Sequence, residues 1–274
     1  EQSLLLSMGS AEILNRMGWE LHEAGYDQKA VDLWLHGAVL ADPSGSEFDR
    51  SIIYIAHYGQ ALYRRDQWKV AAGISEASTQ LMMRGRTGSS VNLILRMRFY
   101  AEFCKGMILL KKGQKSTALA KLDAARKLIP GDGSLADEFF PVLRKEDIGK
   151  HYDEWFDDSY RHVLAACKLY PEAHNSQNTA AWLAARAVRK LDAAQAHSEA
   201  ALKIRPNQGA YLDTMAEVWF AKGNRAKAVE WSEKAVAGSI SNAQGNPRTE
   251  SQVITNYKQL YKQLERFKSE ALPR

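Results

Sequence analysis

The chain has 274 residues, of which 45% are hydrophobic and 25% charged, and its formal net charge is +5. These fractions are typical of a globular protein and exclude a chain that is mainly disordered. The small positive excess does not by itself indicate a nucleic-acid-binding protein, and no apolar run reaches the ~18 residues that a membrane span requires.

Small residues recur at matched intervals in the first half of the chain. Two segments each place two glycines and an alanine at offsets of 0, 7 and 12 residues: Gly18, Gly25 and Ala30, and then Gly106, Gly113 and Ala118. Between them, Gly59 and Ala71 keep the 12-residue offset, while Asp66 stands at the middle position. Small side chains of this kind let packed helix axes approach closely, so we interpret these segments as units of a helical repeat.

The 76 residues from Ala118 to Ala194 leave room for a further helix pair. Segment 134–170 begins with apolar residues around Phe140 and ends in an amphipathic run, so we interpret it as a degenerate helix pair. The preceding Gly-Asp-Gly-Ser sequence is similar to a fragment of a phosphate or calcium loop. We favour a helix-breaking turn, with Ser134 as the N-cap of the next helix.

Two adjacent segments near the C-terminus match each other at a fixed offset. Ala194 and Ala201 in the first correspond to Ala228 and Ala235 in the second, each 34 residues later. Thirty-four residues is the period of the tetratricopeptide repeat, so the chain resembles that family. Residues 178–184 and 211–214 resemble its bacterial members in particular. The register predicts six helix pairs, near 11–41, 50–82, 92–129, 134–170, 175–205 and 209–238.

The resemblance implies an all-α fold, a right-handed α-solenoid of about six helix pairs over residues 1–246. The tail, 247–274, is predicted to form a C-terminal capping helix, because a solenoid requires a terminal cap with a polar outer side. The tail's apolar residues follow helical spacing: Val253, Ile254, Tyr257, Leu260, Tyr261, Leu264 and Phe267. No segment alternates with a period of two residues, so essentially no strand is expected.

In the tetratricopeptide family, the first helix of each pair lines a concave groove that binds proteins or peptides. Transferring the family's groove positions by register gives a set of candidate binding residues: Trp19, His22, Gln60, Tyr63, Arg64, Tyr100, Phe103, Met107, Arg186, Asp213 and Glu217. Aromatic residues and arginine are common hot spots, so the groove is predicted to bind a partner chiefly through aromatic anchors in its N-terminal half. The alternative assigns the same aromatic residues to the core.

A known use of the family is capture of a C-terminal carboxylate by a clamp that contains Lys and Asn. The first repeat has Asn15 and Trp19 at those two positions, and no other repeat supplies the clamp. A chaperone-tail adaptor is therefore not predicted.

A polar stripe on one predicted helix suggests a metal site as an alternative. His151, Glu154, Asp158 and His162 follow one another at intervals of 3, 4 and 4 residues, which places imidazole and carboxylate groups on one face. The opposite face is apolar. Because a polar stripe opposite an apolar one is the usual pattern of a solvated helix, we favour that interpretation.

Two further features have alternative interpretations. Residues 77–101 contain four arginines and no acid, which is consistent with an anion or partner contact, although we favour a solvated loop between repeats. Cys104 and Cys167 are predicted to pack as small apolar side chains, and a disulfide would require adjacent repeats to bring the two sulfurs together.

The sequence contains none of the common catalytic motifs, such as G-x-S-x-G, H-E-x-x-H or C-x-x-C. We predict a non-catalytic protein–protein interaction scaffold that uses no cofactor, binds no nucleic acid and has no membrane span. The alternatives are a helical module attached to an enzyme or a larger exported complex, and a small-ligand or metal binder. A start at Glu1 is interpreted as cleavage or a designed boundary. With the low cysteine content, it fits an exported bacterial protein slightly better than a cytosolic one.

Overall fold

The computed structural model describes residues 10–42, 45–63, 67–84, 91–241 and 247–273. These residues fold into α-helices and one π-helical turn, and they contain no strand. The predicted all-α fold is therefore confirmed. The chain divides into two compact units, Glu1–Ile129 and Pro130–Arg274, which we call unit 1 and unit 2.

Unit 1 is built from helical hairpins. Its helices are α1 (Ala11–Glu23), α2 (Asp27–Leu40), α3 (Ser46–Tyr63), α4 (Trp68–Arg84), α5 (Val91–Lys111) and α6 (Lys115–Arg126). Each helix packs against the next one along the chain, and α1 also packs against α3. At the crossing of α5 and α6, a Cβ atom on Gly106 would lie 2.7 Å from Cγ of Leu122. The small residue at this repeat position is therefore needed for the close approach of the two helices.

Unit 2 continues the hairpin pattern after an irregular start. It contains a π-helical turn (Leu135–Phe139), α7 (Phe140–Leu143), α8 (His151–Leu169), α9 (His174–Ala187), α10 (Leu191–Ile204), α11 (Gly209–Ala221), α12 (Arg225–Ser241) and α13 (Pro247–Ser269). Helices α9 and α10 form one hairpin, and α11 and α12 form the next. Along the unit, α11 packs against both α9 and α13, while α10 packs against α11.

The irregular start of unit 2 coincides with the segment that we interpreted as a degenerate pair. Its first helix is shortened to the π-helical turn and the four-residue α7. Pro141 contributes to this because it has no N–H to donate to the carbonyl four residues earlier. Ser134 occupies the N-cap position, but its side chain makes no capping hydrogen bond. Instead, the Ser134 N–H donates to Oδ1 of Asp132 at 2.8 Å.

The C-terminal helix α13 covers the end of the last hairpin. Leu264 and Phe267 are buried, and the Phe267 ring lies 5.1 Å from the ring of Phe220 on α11. Tyr261 is 47% exposed, so the predicted apolar stripe is wrong at that position. The predicted members Val253 and Ile254 lie outside the described side chains.

The structure bears on three further features that the sequence analysis raised: the cysteines, the arginine-rich stretch and a membrane span. Cys104 and Cys167 are both buried thiols that form no disulfide. Residues 85–90, at the centre of the arginine-rich stretch, lie outside the described residues. Within the described part of the chain, no helix is both long enough and apolar enough to cross a membrane.

Candidate functional site

The charged groove candidates of unit 2 come together on one layer of helices. We call α9, α11 and α13 the first-helix layer. Arg186 of α9 donates from Nη1 to Oε1 of Glu217 on α11 at 3.2 Å. Arg266 of α13 donates to the other carboxylate oxygen, Oε2 of Glu217. Glu217 is only 4% exposed, so one buried carboxylate links the three helices of the layer.

Helical spacing explains why these side chains meet. Asp213 and Glu217 are four residues apart on α11 and therefore share one helix face. That face meets the last turn of α9, which carries Arg186, and the last turn of α13, which carries Arg266. We call Arg186, Asp213, Glu217 and Arg266 the charged cluster.

The carboxylate of Asp213 is the incompletely satisfied member of the charged cluster. The residue is half-buried, and its Oδ1 atom is buried with no hydrogen-bond partner. Burial and the neighbouring Glu217 together raise the pKa of Asp213 to about 7, while Arg266 and Arg186 act in the opposite direction. Asp213 is therefore close to half-ionised at neutral pH.

Trp182 lies beside the charged cluster on α9. Its indole Nε1 donates to Oδ1 of Asp137 at 2.7 Å, and the Arg186 guanidinium lies 5.4 Å from its ring centroid. Like Oδ1 of Asp213, Oδ1 of Asn178 is buried and has no hydrogen-bond partner; Asn178 lies one helical turn before Trp182 on α9. An unsatisfied buried acceptor typically costs ~1–3 kcal/mol, so the first-helix layer contains two acceptors that a donor on a ligand would stabilise.

The structure replaces the groove interpretation with the core interpretation for three aromatic or apolar candidates. Phe103 and Met107 are fully buried and Tyr100 is 5% exposed, so none of them offers an anchor surface. Phe103 stacks on Phe99 at a centroid distance of 5.6 Å and meets Trp68 edge-on at 5.8 Å. The physical reason is that α5 is covered by α4 on one side and by α6 on the other.

The remaining candidates of unit 1 are half-buried or lie outside the described residues. The half-buried Trp19 ring packs 5.3 Å from Tyr54 and 5.7 Å from His22. His22 in turn places Nδ1 2.6 Å from Oδ1 of Asp27. The predicted sites at Gln60, Tyr63 and Arg64 lie outside the described side chains.

The predicted histidine stripe on α8 does not form a metal site. Among the described residues, no group of three or more His, Cys, Asp or Glu side chains is arranged to hold a metal ion. His151 faces Glu154, with 3.5 Å between Nδ1 and Oε2, and Asp158 pairs with Arg161 at 3.1 Å. These pairs lie along the surface of the helix and leave the metal alternative without structural support.

Unit 2 also has a cavity between α10, α11 and α12, away from the charged cluster. Its volume is about 490 Å³, and its lining includes the half-buried Trp219 and Trp231. Lysines cover both rings, since Nζ of Lys227 lies 3.9 Å from the Trp219 centroid and Nζ of Lys234 lies 4.4 Å from that of Trp231. The exposed Glu230 lies at the same cavity. Both rings therefore make cation–π contacts with lysines within unit 2.

Sequence reasoning missed four residues of the site: Arg266, Asp137, Trp182 and Asn178. The tail was interpreted as an apolar stripe with a solvated opposite face, and Arg266 lies at the border between the two. Its position directly before the buried Phe267 is the signal that was available. Asp137 lies in the degenerate segment, where the repeat register does not predict which side chains face the groove.

No family model matches the chain, and no curated protein matches it. Solved structures do match. The chain is similar to the crystal structure of YrrB, described as a TPR protein with an unusual peptide-binding site, with 16% identity and a TM-score of 0.29 over 76% of this chain and 92% of that chain.

It is also similar to the TPR2AB domain of yeast Sti1 in a pHSP90 complex, with 14% identity and a TM-score of 0.30 over 92% of this chain and 98% of that chain. A third match is yeast Tom70, with 14% identity and a TM-score of 0.39 over 98% of this chain and 58% of that chain. YrrB and the Sti1 domain are described as TPR proteins. The TM-scores of the three matches lie between 0.29 and 0.39, so these likenesses carry no further argument about this chain.

Proposed function

We propose that this chain is a non-catalytic scaffold that binds a partner protein or an extended peptide on the first-helix layer of unit 2. The observation that carries the proposal is the buried, unpartnered Oδ1 of Asp213 within the charged cluster. A polar atom left unsatisfied in the free protein lowers stability, and a donor on a bound partner removes that penalty. A partner therefore has a specific reason to bind at this place.

The residue types around Asp213 also suit an interface. Trp182 and Arg186 belong to the side chains that dominate binding hot spots, and both are half-buried beside the charged cluster. This proposal moves the partner from the N-terminal half of the chain to unit 2, because Tyr100, Phe103 and Met107 are occupied in the core of unit 1.

Site-specific photo-crosslinking in cells of the native source tests the proposal. The photoreactive residue p-benzoylphenylalanine replaces Trp182 on the first-helix layer in one variant and Glu230 at the α10–α12 cavity in the other. We expect crosslinking to a partner from position 182 and not from position 230, with the partner identified by mass spectrometry. An enzyme subunit as the partner would assign the chain to an enzyme complex.

Two results would contradict the proposal. Crosslinks from position 230 alone would place the partner on the opposite side of unit 2. The absence of crosslinks from both positions, with both variants folded and expressed as the parent is, would refute partner binding by this unit.

A further inference from the structure

We propose that the charged cluster is a receptor for an arginine side chain of the partner, whose guanidinium group docks on the half-buried carboxylate of Asp213. This inference rests on the proposed function and names the chemistry that the first-helix layer recognises. It is carried by Oδ1 of Asp213, which has no hydrogen-bond partner within the charged cluster.

The hydrogen-bond inventory of the site selects a donor. Both carboxylate oxygens of Glu217 are already occupied, one by Arg186 and the other by Arg266. The atom that has no hydrogen-bond partner, Oδ1 of Asp213, is an acceptor. A guanidinium group has five N–H donors in a planar fork and no acceptor, so it can serve a carboxylate without introducing a new unsatisfied group. A carboxylate ligand would leave Oδ1 of Asp213 unsatisfied.

The charges around Asp213 favour the same ligand. The acids that act on Asp213 are Glu217 and Asp137, and the bases that act on it are Arg186 and Arg266. When Asp213 is ionised, this set has three negative and two positive charges and therefore an excess of one negative charge. An arginine from a partner supplies the missing positive charge, whereas a bound anion would add to the excess.

Burial of Asp213 adds a pH dependence to the proposed binding. Because desolvation and Glu217 raise the pKa of Asp213 to about 7, the carboxyl group is largely protonated at pH 6 and largely ionised at pH 8. A guanidinium group binds the ionised form, so its affinity should rise as the pH increases from 6 to 8. Glu217, Asp137, Arg186 and Arg266 are the charged groups whose interactions with Asp213 set this midpoint.

An NMR titration of the full chain tests the inference. The probe is N-acetyl-arginine amide at constant ionic strength, and the readout is the indole N–H signal of Trp182, which lies beside Arg186. N-acetyl-citrulline amide is the neutral isostere, and N-acetyl-lysine amide tests whether a cation without the planar fork suffices. We expect the arginine probe to bind about tenfold tighter than the citrulline probe, as charged hydrogen bonds commonly do.

Two variants complete the design. Asp213→Asn keeps the shape of the side chain and should weaken arginine binding about tenfold or more, while the matched exposed control Asp192→Asn should leave it unchanged. The amide spectrum of each variant reports that it is folded.

Three outcomes would overturn the inference: equal binding of arginine and citrulline, an unchanged Trp182 signal, or undiminished arginine binding by folded Asp213→Asn. These outcomes differ from a failure of the proposed function. A crosslink from position 182 together with a negative titration leaves the scaffold standing and removes the arginine receptor. The absence of crosslinks contradicts the scaffold whatever the titration gives.

Discussion

Replacing Asp213 with Asn should stabilise unit 2 at neutral and alkaline pH. The carboxyl group of Asp213 is buried, lacks a hydrogen-bond partner at Oδ1, and lies beside the negatively charged Glu217. Ionisation of this group in the folded protein is therefore unfavourable. Asparagine has nearly the same shape and no charge, so it removes the electrostatic penalty and leaves the packing of α11 intact.

The magnitude follows from the pKa of Asp213. The structure raises it from the ordinary value of 3.8 to about 7, roughly three units. Each unit corresponds to about 1.4 kcal/mol of free energy between the protonation states, so the ionised carboxylate destabilises the fold by up to about 4 kcal/mol. Because the asparagine amide must itself be desolvated, we expect a net gain of about 2–3 kcal/mol at pH 8.

The sign of the pH dependence is determined by the direction of the shift. A folded-state pKa above the unfolded one means that Asp213 favours folding below pH ~4 and that this contribution is lost as the pH rises through about 7. The stability advantage of Asp213→Asn should therefore be small at pH 4, grow between pH 4 and 7, and level off above pH 8.

Urea unfolding at several pH values, followed by hydrogen exchange of peptides from α11, measures this difference within unit 2. Other carboxyl groups also titrate in this range, but comparing variant and parent at each pH cancels their contribution to the unfolding free energy. Glu102 is one of them: burial acts to raise its pKa, but hydrogen bonds with lysines lower it overall. The exposed control Asp192→Asn should show no comparable gain at pH 8. Equal stability of parent and Asp213→Asn at pH 8, or an advantage that does not change with pH, would refute the argument from burial and repulsion.

Two further predictions concern packing. Gly106→Ala should lower the unfolding free energy by ~1–3 kcal/mol because its Cβ atom would meet Leu122, whereas Gly73→Ala, also within a helix but with no atom in reach, should raise it by ~0.5–1 kcal/mol. Thermal melts that shift alike for both variants would contradict the proposed crossing of α5 and α6. Phe267→Ala should cost ~3–5 kcal/mol, and Tyr261→Ala, on the exposed side of α13, should cost far less. Denaturant unfolding measures both, and similar losses would show that α13 does not pack through Phe267.

The repeat register predicted the hairpins because it records a local physical requirement. Gly106 and Ala228 lie where two helices cross, and a larger side chain at either position would push the axes apart. That requirement repeats with every hairpin and is therefore visible as a period in the sequence. The degenerate segment lacks this period. Its first helix is replaced by a π-helical turn and the four-residue α7, which contains Pro141.

The burial of aromatic residues was not predictable from the same register. A groove position on the first helix of a hairpin places a side chain on a face, but the neighbouring helices decide whether that face is open. On α5 the neighbours α4 and α6 bury Phe103 and Met107 completely. At the corresponding face of α11, the side chains are Asp213 and Glu217, which are too polar to be buried without compensation.

The charged cluster shows why a site can lie outside the consensus of a fold. Arg186 and Glu217 satisfy each other across two helices, and Arg266 completes the set from a segment that no repeat position describes. Asp213 remains at a position where its charge opposes folding. Where a sequence departs from the residue that folding alone favours, binding is the usual reason, because the penalty in the free protein is removed in the complex. Asp213→Asn should therefore make unit 2 more stable and its partner binding weaker, and a purely structural role for Asp213 cannot produce both effects at once.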